Sequence, residues 1–427
     1  MTTMFNNILF RIKTSTFIRD SFWSVFGNGL GNFLLLIGGI LIARFLGKEL
    51  YGEYGMVKTT MFYIGGFASF GLEYTATKFV AQMKSQSISD VNGYVKASLY
   101  ITTFFSLSLW IILFLFSNEL AHYLNAPTLS SPFKYLGAIL FFRALCSSSK
   151  GILGGFKDFK ALGVNSIISG LLFIILGPAL TFYWGIIGSF IALLSTQVVN
   201  SILNLYVIFK HHLNLKLSAN NNLTELLLFS FPVAMQELIF SITNWGAMLV
   251  LTKYANLGEV GIYSAASQWY AVTLFIPNML ANVVLSYLAS SANDSNKYGV
   301  VLNKMLLINL LCSLIPFIII FVSSSIITSF YGNDFTGLKV VLNVLVLGTV
   351  FACLANVFQA DYIANNRNWL LFLFRSIRDG LILLLLYFTL SFDNSRAALK
   401  FAIINTLVYF VYFTTMYAGN KIRYSKS

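Results

Sequence analysis

Between Ala161 and Phe209 the chain runs for 49 residues without one charged side chain. The hydrocarbon core of a bilayer is about 30 Å thick and is crossed by about 20 helical residues at 1.5 Å each. The run is therefore two spans, turning near the "GPALTFYWG" segment that ends at Gly185. Ser21 to Ala43, Ala97 to Asn118 and Phe401 to Asn420 are further uncharged runs of spanning length. Charged residues make up 10% of the chain and mean hydropathy is +0.76, against about 25% charge in a soluble domain. The chain reads as an integral membrane protein.

Twelve helices are expected, over 21–43, 54–80, 97–118, 133–153, 161–181, 185–209, 225–251, 260–290, 302–328, 338–360, 368–391 and 401–420. A membrane β-barrel would show alternating segments of about ten residues, whereas these runs are long and continuous, so the expected fold class is all-α. With the N-terminus in the cytoplasm, 17 of the 28 Lys and Arg fall on that side and eight on the other, the remaining three lying within spans. That bias sets both termini cytoplasmic. The formal charge of +13 is spread over alternate short loops and forms no basic domain, which argues against nucleic acid as a partner. The first span is too long for a secretory h-region and reads as retained. Cys146, Cys312 and Cys353 show no CxxC spacing, and neither a disulfide framework nor a metal site is indicated.

The chain also repeats itself. "RFLGKELYGEY", Arg44 to Tyr54, and "KYANLGEVGIY", Lys253 to Tyr263, align without gaps at a shift of 209 residues, pairing Gly52 with Gly261 and Tyr54 with Tyr263. The same shift carries the first span onto the seventh. Six spans per half is an even number, so the halves share one orientation and form a parallel repeat about an axis along the membrane normal. The expected domains are an N-terminal six-helix bundle, 1–215, and a C-terminal six-helix bundle, 216–427. The echoed stretches become tight outer hairpins in which Gly52 and Gly261 permit the turn.

"ARFLGKELYGEYG", "FASFGLEYTATKFVA", "LGEVGIYSAASQW", "FPVAMQELIFSITNWGAMLVL" and "FYGNDFTGLKVVLNVLVLG" resemble the multidrug/oligosaccharidyl-lipid/polysaccharide export superfamily, and within it the O-antigen (Wzx-type) flippases. The resemblance covers nearly the whole chain. It implies a MATE-like, V-shaped pair of bundles in the bacterial inner membrane, alternating between cytoplasmic and periplasmic openings. It also implies an undecaprenyl-diphosphate-linked oligosaccharide as cargo for O-antigen or related surface polysaccharide, often with a cation gradient as driving force. Membrane lipids are its surroundings, and a polysaccharide polymerase and a chain-length regulator are further expected partners.

Independently of the resemblance, polar residues at helical spacing mark where a cavity belongs. Ser21, Ser24, Asn28 and Asn32 form a stripe on the first span, and Glu237, Ser241 and Asn244 form one on the seventh. Asn28 meets Glu237, and Asn32 meets Ser241, under the 209 shift. Ser and Asn also hold membrane helices together, but Glu237 is a carboxylate well inside a span, where a charge costs about 2.5–3.5 kcal/mol. For an anionic cargo the cations matter most. Arg143 lies mid-span with Lys150 seven residues on, along the same helix face. Arg375, Arg378 and Asp379 follow at i, i+3 and i+4, so that Asp379 can neutralise Arg375 and leave one net positive charge. Guanidinium and ammonium groups in a partly desolvated cavity suit a diphosphate. Glu73, Asp361 and Asp379 are the carboxylates open to proton or sodium coupling.

No GxxxxGK[ST] run is present to cradle ATP, and no cofactor is expected. A MATE-type cation-coupled drug exporter would want an acidic cavity, which these arginines oppose. A membrane polysaccharide polymerase or glycosyltransferase would want a large extramembrane loop or acidic motif, and no loop exceeds about 20 residues by this span assignment. The expected function is a flippase, not an enzyme.

Overall fold

A computed structural model describes residues 23–83, 88–123, 130–212, 223–291, 295–365 and 367–424. Ser21 of the first stripe lies outside them, as do the side chains of Ser24 and Glu237. Among the described residues every regular element is helical, and there is no strand. The helices are α1 (Asn28–Ala68, after a π turn at Trp23–Gly27), α2 (Leu72–Met83), α3 (Ile88–Leu115), α4 (Ser117–Tyr123), α5 (Ser130–Gly155) and α6 (Phe159–Val207). They continue as α7 (Leu223–Tyr254), α8 (Leu257–Ser291), α9 (Ser295–Ser329), α10 (Leu338–Ala364), α11 (Asn368–Phe392) and α12 (Ala397–Tyr424).

Seven described segments are long and apolar enough to cross a membrane. Two of them, Val25–Gly66 at 42 residues and Phe159–Lys210 at 52, would run about 63 and 78 Å if straight, at least twice the thickness of the core. Both are broken by a glycine at positive φ, Gly47 (φ 69) and Gly185 (φ 58), a conformation that costs glycine nothing. After Gly185 the chain turns back on itself: a Cβ added to Gly188 would stand 1.9 Å from the Leu180 carbonyl oxygen. The expected second span, 54–80, is divided where Phe70 (φ 54) and Gly71 (φ 67) end α1 and the buried Leu72 opens α2.

The chain gathers into two units. One contains the residues up to Phe45 together with Val57–Ile242, and the other contains Leu46–Met56 together with the residues from Thr243 onward. In the first unit α5 packs on α2, α3 and α6. Its core joins Ala76 and Val80 of α2, Val91 and Val95 of α3, and Ile152 and Leu153 of α5. Buried amides hold the two arms of α6 together across its break at Gly185: Asn165 Nδ2 donates to Asn204 Oδ1 at 2.8 Å, and Asn204 Nδ2 to Asn200 Oδ1 at 2.9 Å. Such bonds survive in lipid because no water competes for them. In the second unit α10 is central, packed on α8, α9 and α12, with Ala355, Phe358 and Tyr362 meeting Leu288, Leu302, Tyr412 and Met416.

The second unit also contains Leu46–Tyr54 of the first echoed stretch and all of the second. Gly52 and Gly261 approach at backbone distance: a Cβ on Gly52 would lie 1.9 Å from the Leu257 carbonyl oxygen, and one on Gly261 would lie 2.0 Å from that of Lys48. Only glycine permits this approach. Tyr51 and Tyr54, both fully buried, stack beside it with centroids 5.4 Å apart.

Candidate functional site: in-span charges of the two units

In the first unit the polar stripe divides into two kinds of residue. Asn28, half-buried, accepts from Ser166 Oγ of α6 at 2.8 Å, and Ser241, buried, donates to the Tyr63 carbonyl oxygen at 2.9 Å. Both use a hydrogen bond to join helices of their own unit. Asn32, one turn beyond Asn28, is exposed.

Arg143 projects from α5 beside Gly65 of α1, where any Cβ would meet its Cγ at 2.8 Å. Its guanidinium carbon lies 5.2 Å from the centroid of the Phe62 ring, and its buried Nε has no hydrogen-bond partner. A cation over an aromatic face in a dry setting is held by the ring quadrupole while keeping its N–H donors. One turn along α5, Ser147 donates to the Glu73 carboxylate of α2, and Lys150, half-buried, follows at i+7. Arg143, Ser147 and Lys150 share one face of α5, and Glu73 is bonded between the two cations. The sequence placed Glu73 among coupling carboxylates with no link to this face. Ser147 was missed, because its partner lies 74 residues away and a serine in a span carries no signal.

In the second unit Asp379 binds Arg378, with Nε to Oδ1 at 2.7 Å and Nη2 to Oδ1 at 2.6 Å. The expected pairing of Asp379 with Arg375 is thus replaced by one between chain neighbours. The reason is packing: Arg378 is fixed between the Tyr409 and Tyr412 rings at 5.0 and 4.9 Å, is 4% exposed, and its donors lie directly over Asp379. Arg375 is the exposed cation of α11. Asn244 is half-buried.

Asp361, 2% exposed, is enclosed by neutral donors. Tyr298 Oη donates to Oδ1, Asn365 Nδ2 donates to Oδ1 at 3.0 Å, and Asn420 Nδ2 donates to Oδ2 at 2.8 Å. A buried carboxylate accepting several hydrogen bonds is stabilised without a counter-ion. Tyr298 and Asn420 are 63 and 59 residues away, and no spacing rule reaches them. Among the described residues no group of three metal-ligating side chains forms.

Solved structures of the MOP superfamily share the fold of this helical membrane protein. The chain superposes on an inward-facing multidrug resistance MATE family transporter of that superfamily with a TM-score of 0.81, at 16% identity over 93% of this chain and 96% of the other. It superposes on the lipid II flippase MurJ, inward closed, at 0.73, with 19% identity over 95% and 87%. The chain belongs to the polysaccharide biosynthesis protein family, whose profile matches residues 17–292, and the resemblance read from the sequence holds. Among relatives, the putative O-antigen transporter of Shigella flexneri is 21% identical over 352 residues, 80% of this chain and 83% of the other. The succinoglycan biosynthesis transport protein ExoT of Rhizobium meliloti is 25% identical over 276 residues, 64% of this chain and 52% of the other. The chain thus matches about half the length of ExoT, and 45% of that of a Methanocaldococcus jannaschii membrane protein that is 27% identical over 193 residues.

Proposed function

We propose that the protein flips undecaprenyl-diphosphate-linked oligosaccharide units from the cytoplasmic to the periplasmic leaflet of a bacterial inner membrane, for O-antigen or a related surface polysaccharide. Membership of the polysaccharide biosynthesis family carries the reading, and relatives named as transport proteins rather than enzymes support it. An oligosaccharide cannot cross hydrocarbon, where each unsatisfied polar group costs several kcal/mol, whereas the polyprenyl tail stays in lipid. The protein need shield only the head. Arg143, Lys150, Arg375 and Arg378 supply positive charge for the diphosphate, with Arg143 and Arg375 the two whose guanidinium donors remain for it. Asn32, Glu237 and Asn244 serve the sugars, while the hydrogen bonds of Asn28 and Ser241 join helices. Twelve spans form six-helix bundles over 1–215 and 216–427, with both termini cytoplasmic, and rocking of the repeats switches the opening. Asp361 is the favoured coupling carboxylate of the three, because Asp379 is neutralised by Arg378 and Glu73 sits between Arg143 and Lys150. A polymerase and a chain-length regulator take the product onward.

The deciding experiment deletes the gene in its own host and measures surface polysaccharide together with lipid-linked intermediate. Intermediate accumulating on the cytoplasmic leaflet while surface polymer disappears is the expected result. Unchanged polymer together with raised susceptibility to cationic drugs would instead establish the second reading, a MATE-type exporter, which the 0.81 superposition favours.

A further inference from the structure

Three lysines stand together at one end of the first unit. The two arms of α6, joined by the Asn165–Asn204 amide bond, run on from it back to Lys160 and forward to Lys210, about 8 Å each at 1.5 Å per residue. Phe156, beside Lys157, and Leu162, close after Lys160, pack with Val207 and Ile208 in one apolar cluster. Lys157, Lys160 and Lys210 are all exposed around that cluster, and among the described residues none of them forms an ion pair.

Two of the three occupy positions that helix physics disfavours. α5 ends in a Schellman motif, in which the Lys157 N–H donates to the Gly154 carbonyl and the Asp158 N–H to that of Leu153, both at 3.0 Å. Lys157, at φ 61, fills the left-handed position that glycine usually takes because a Cβ strains it. Lys160 stands in the first turn of α6, directly after the N-cap Asp158 and Phe159, where the helix dipole favours anions over cations. Local stability asks for neither lysine, and placements kept against local preference point to a role outside folding. Lys210 ends an outward-facing stripe of Ile202, Tyr206 and Phe209. Its ammonium donates to the Tyr206 hydroxyl at 2.7 Å and lies 5.1 Å from the ring centroid. Aliphatic side chain, aromatic ring and then cation is the order met on leaving hydrocarbon for the headgroups. The second unit has a like corner of its own. The 209-residue shift carries Lys157 to within one residue of Arg367, whose N–H reaches back to the Tyr362 carbonyl at 2.8 Å as that of Asp158 does to Leu153. Arg367 is exposed there, as is Trp369.

We infer that Lys157, Lys160 and Lys210 form a docking surface for the phosphate of an anionic phospholipid, whose acyl chains lie along Ile202, Tyr206 and Phe209. Cations that the protein leaves unneutralised adjoin an apolar stripe, so a phosphate and the tail attached to it are met together. A soluble anion would gain nothing from the stripe. This surface is independent of the flippase reading: a deletion strain with unchanged polysaccharide would refute that reading and leave the surface as it is. The purified full-length protein is titrated in neutral detergent with phosphatidylglycerol and with phosphatidylcholine, and bound lipid is counted by native mass spectrometry. Phosphatidylglycerol should bind more tightly. Its affinity should fall about fivefold for each lysine changed to glutamine, and about a hundredfold for Lys157→Gln, Lys160→Gln and Lys210→Gln together. Lys134→Gln, exposed near the opposite end of α5, should change nothing. Lys157→Gly gives a readout that a merely structural lysine would not: the melting temperature should rise, because glycine suits φ 61, while phosphatidylglycerol binding falls. Equal affinity for the two lipids, or unchanged phosphatidylglycerol binding in both Lys157→Gly and the triple variant, overturns the inference. So does binding of undecaprenyl diphosphate at these lysines without binding of phosphatidylglycerol, which would make the surface an entrance for the cargo.

Discussion

The Arg378 guanidinium gives both Nε and Nη2 to a single oxygen of the adjacent Asp379, at 2.7 and 2.6 Å, while the rings of Tyr409 and Tyr412 enclose it. Removing one partner of a buried ion pair leaves an uncompensated charge and typically costs about 3–5 kcal/mol. Arg378→Ala and Asp379→Ala should each sharply lower the amount of folded protein in the membrane, and the double change should recover part of it. Arg375→Ala should leave the amount unchanged. Quantitative immunoblotting of membranes with thermal melts in detergent checks this, and equal losses at 375 and 378 would refute the assignment.

Arg143 keeps its buried Nε unpartnered beside Phe62. If it holds the diphosphate, Arg143→Ala removes a charge-assisted bond worth about 1.5–3 kcal/mol, so export should fall by about tenfold or more at normal protein level. Arg143→Lys, which keeps the charge but loses the planar fork, should fall in between. Full surface polysaccharide in a strain carrying only Arg143→Ala would refute the binding role.

Cysteine scanning separates the two kinds of stripe residue. A thiol at the exposed Asn32 should react with a small water-soluble maleimide, whereas thiols at the buried Ser241 and at the Leu34 and Leu249 controls should react far less. An Asn32 thiol as inert as the leucine positions would place that residue against lipid and remove the first span from the cavity.

The Asp361 carboxylate collects the Tyr298 hydroxyl and the amides of Asn365 and Asn420. Asp361→Asn replaces an acceptor oxygen by a donor facing other donors, a loss of about 1–3 kcal/mol. Asn420→Ala removes one donor and should be milder. If Asp361 also couples transport to a gradient, Asn420→Ala protein that remains folded should show an altered dependence of transport on pH or sodium. A transport rate that varies identically with pH and sodium in the Asn420→Ala and natural proteins would assign the cage to stability alone.

How much was legible in the sequence follows from the range of each interaction. Helix positions were readable because a span must satisfy its own backbone and present apolar side chains to lipid. The expected 302–328 and 368–391 lie inside α9 (Ser295–Ser329) and α11 (Asn368–Phe392). The turn near Gly185 was readable because the uncharged run was too long for one crossing. The short α4 and the break at Phe70 were not, since both answer to packing rather than to hydropathy. Among the candidate residues, Arg143, Arg378 and Asp361 stand out in the sequence because charge in a long apolar stretch is conspicuous, but their partners do not. Asp379 was given to Arg375 on helical periodicity, and the two tyrosines of α12 decided otherwise.

By itself the sequence determined that the chain lives in a membrane as helices, because bilayer thickness and polar cost act on each segment alone. Only the tertiary structure decided that Gly52 meets Gly261, that Asp379 belongs to Arg378, that Glu73 joins the Arg143 face of α5, and that Asp361 collects three neutral donors. Those are contacts between distant segments or choices among near-equal neighbours. They are fixed by which side chains pack densely together, and that information is in no local stretch of the chain.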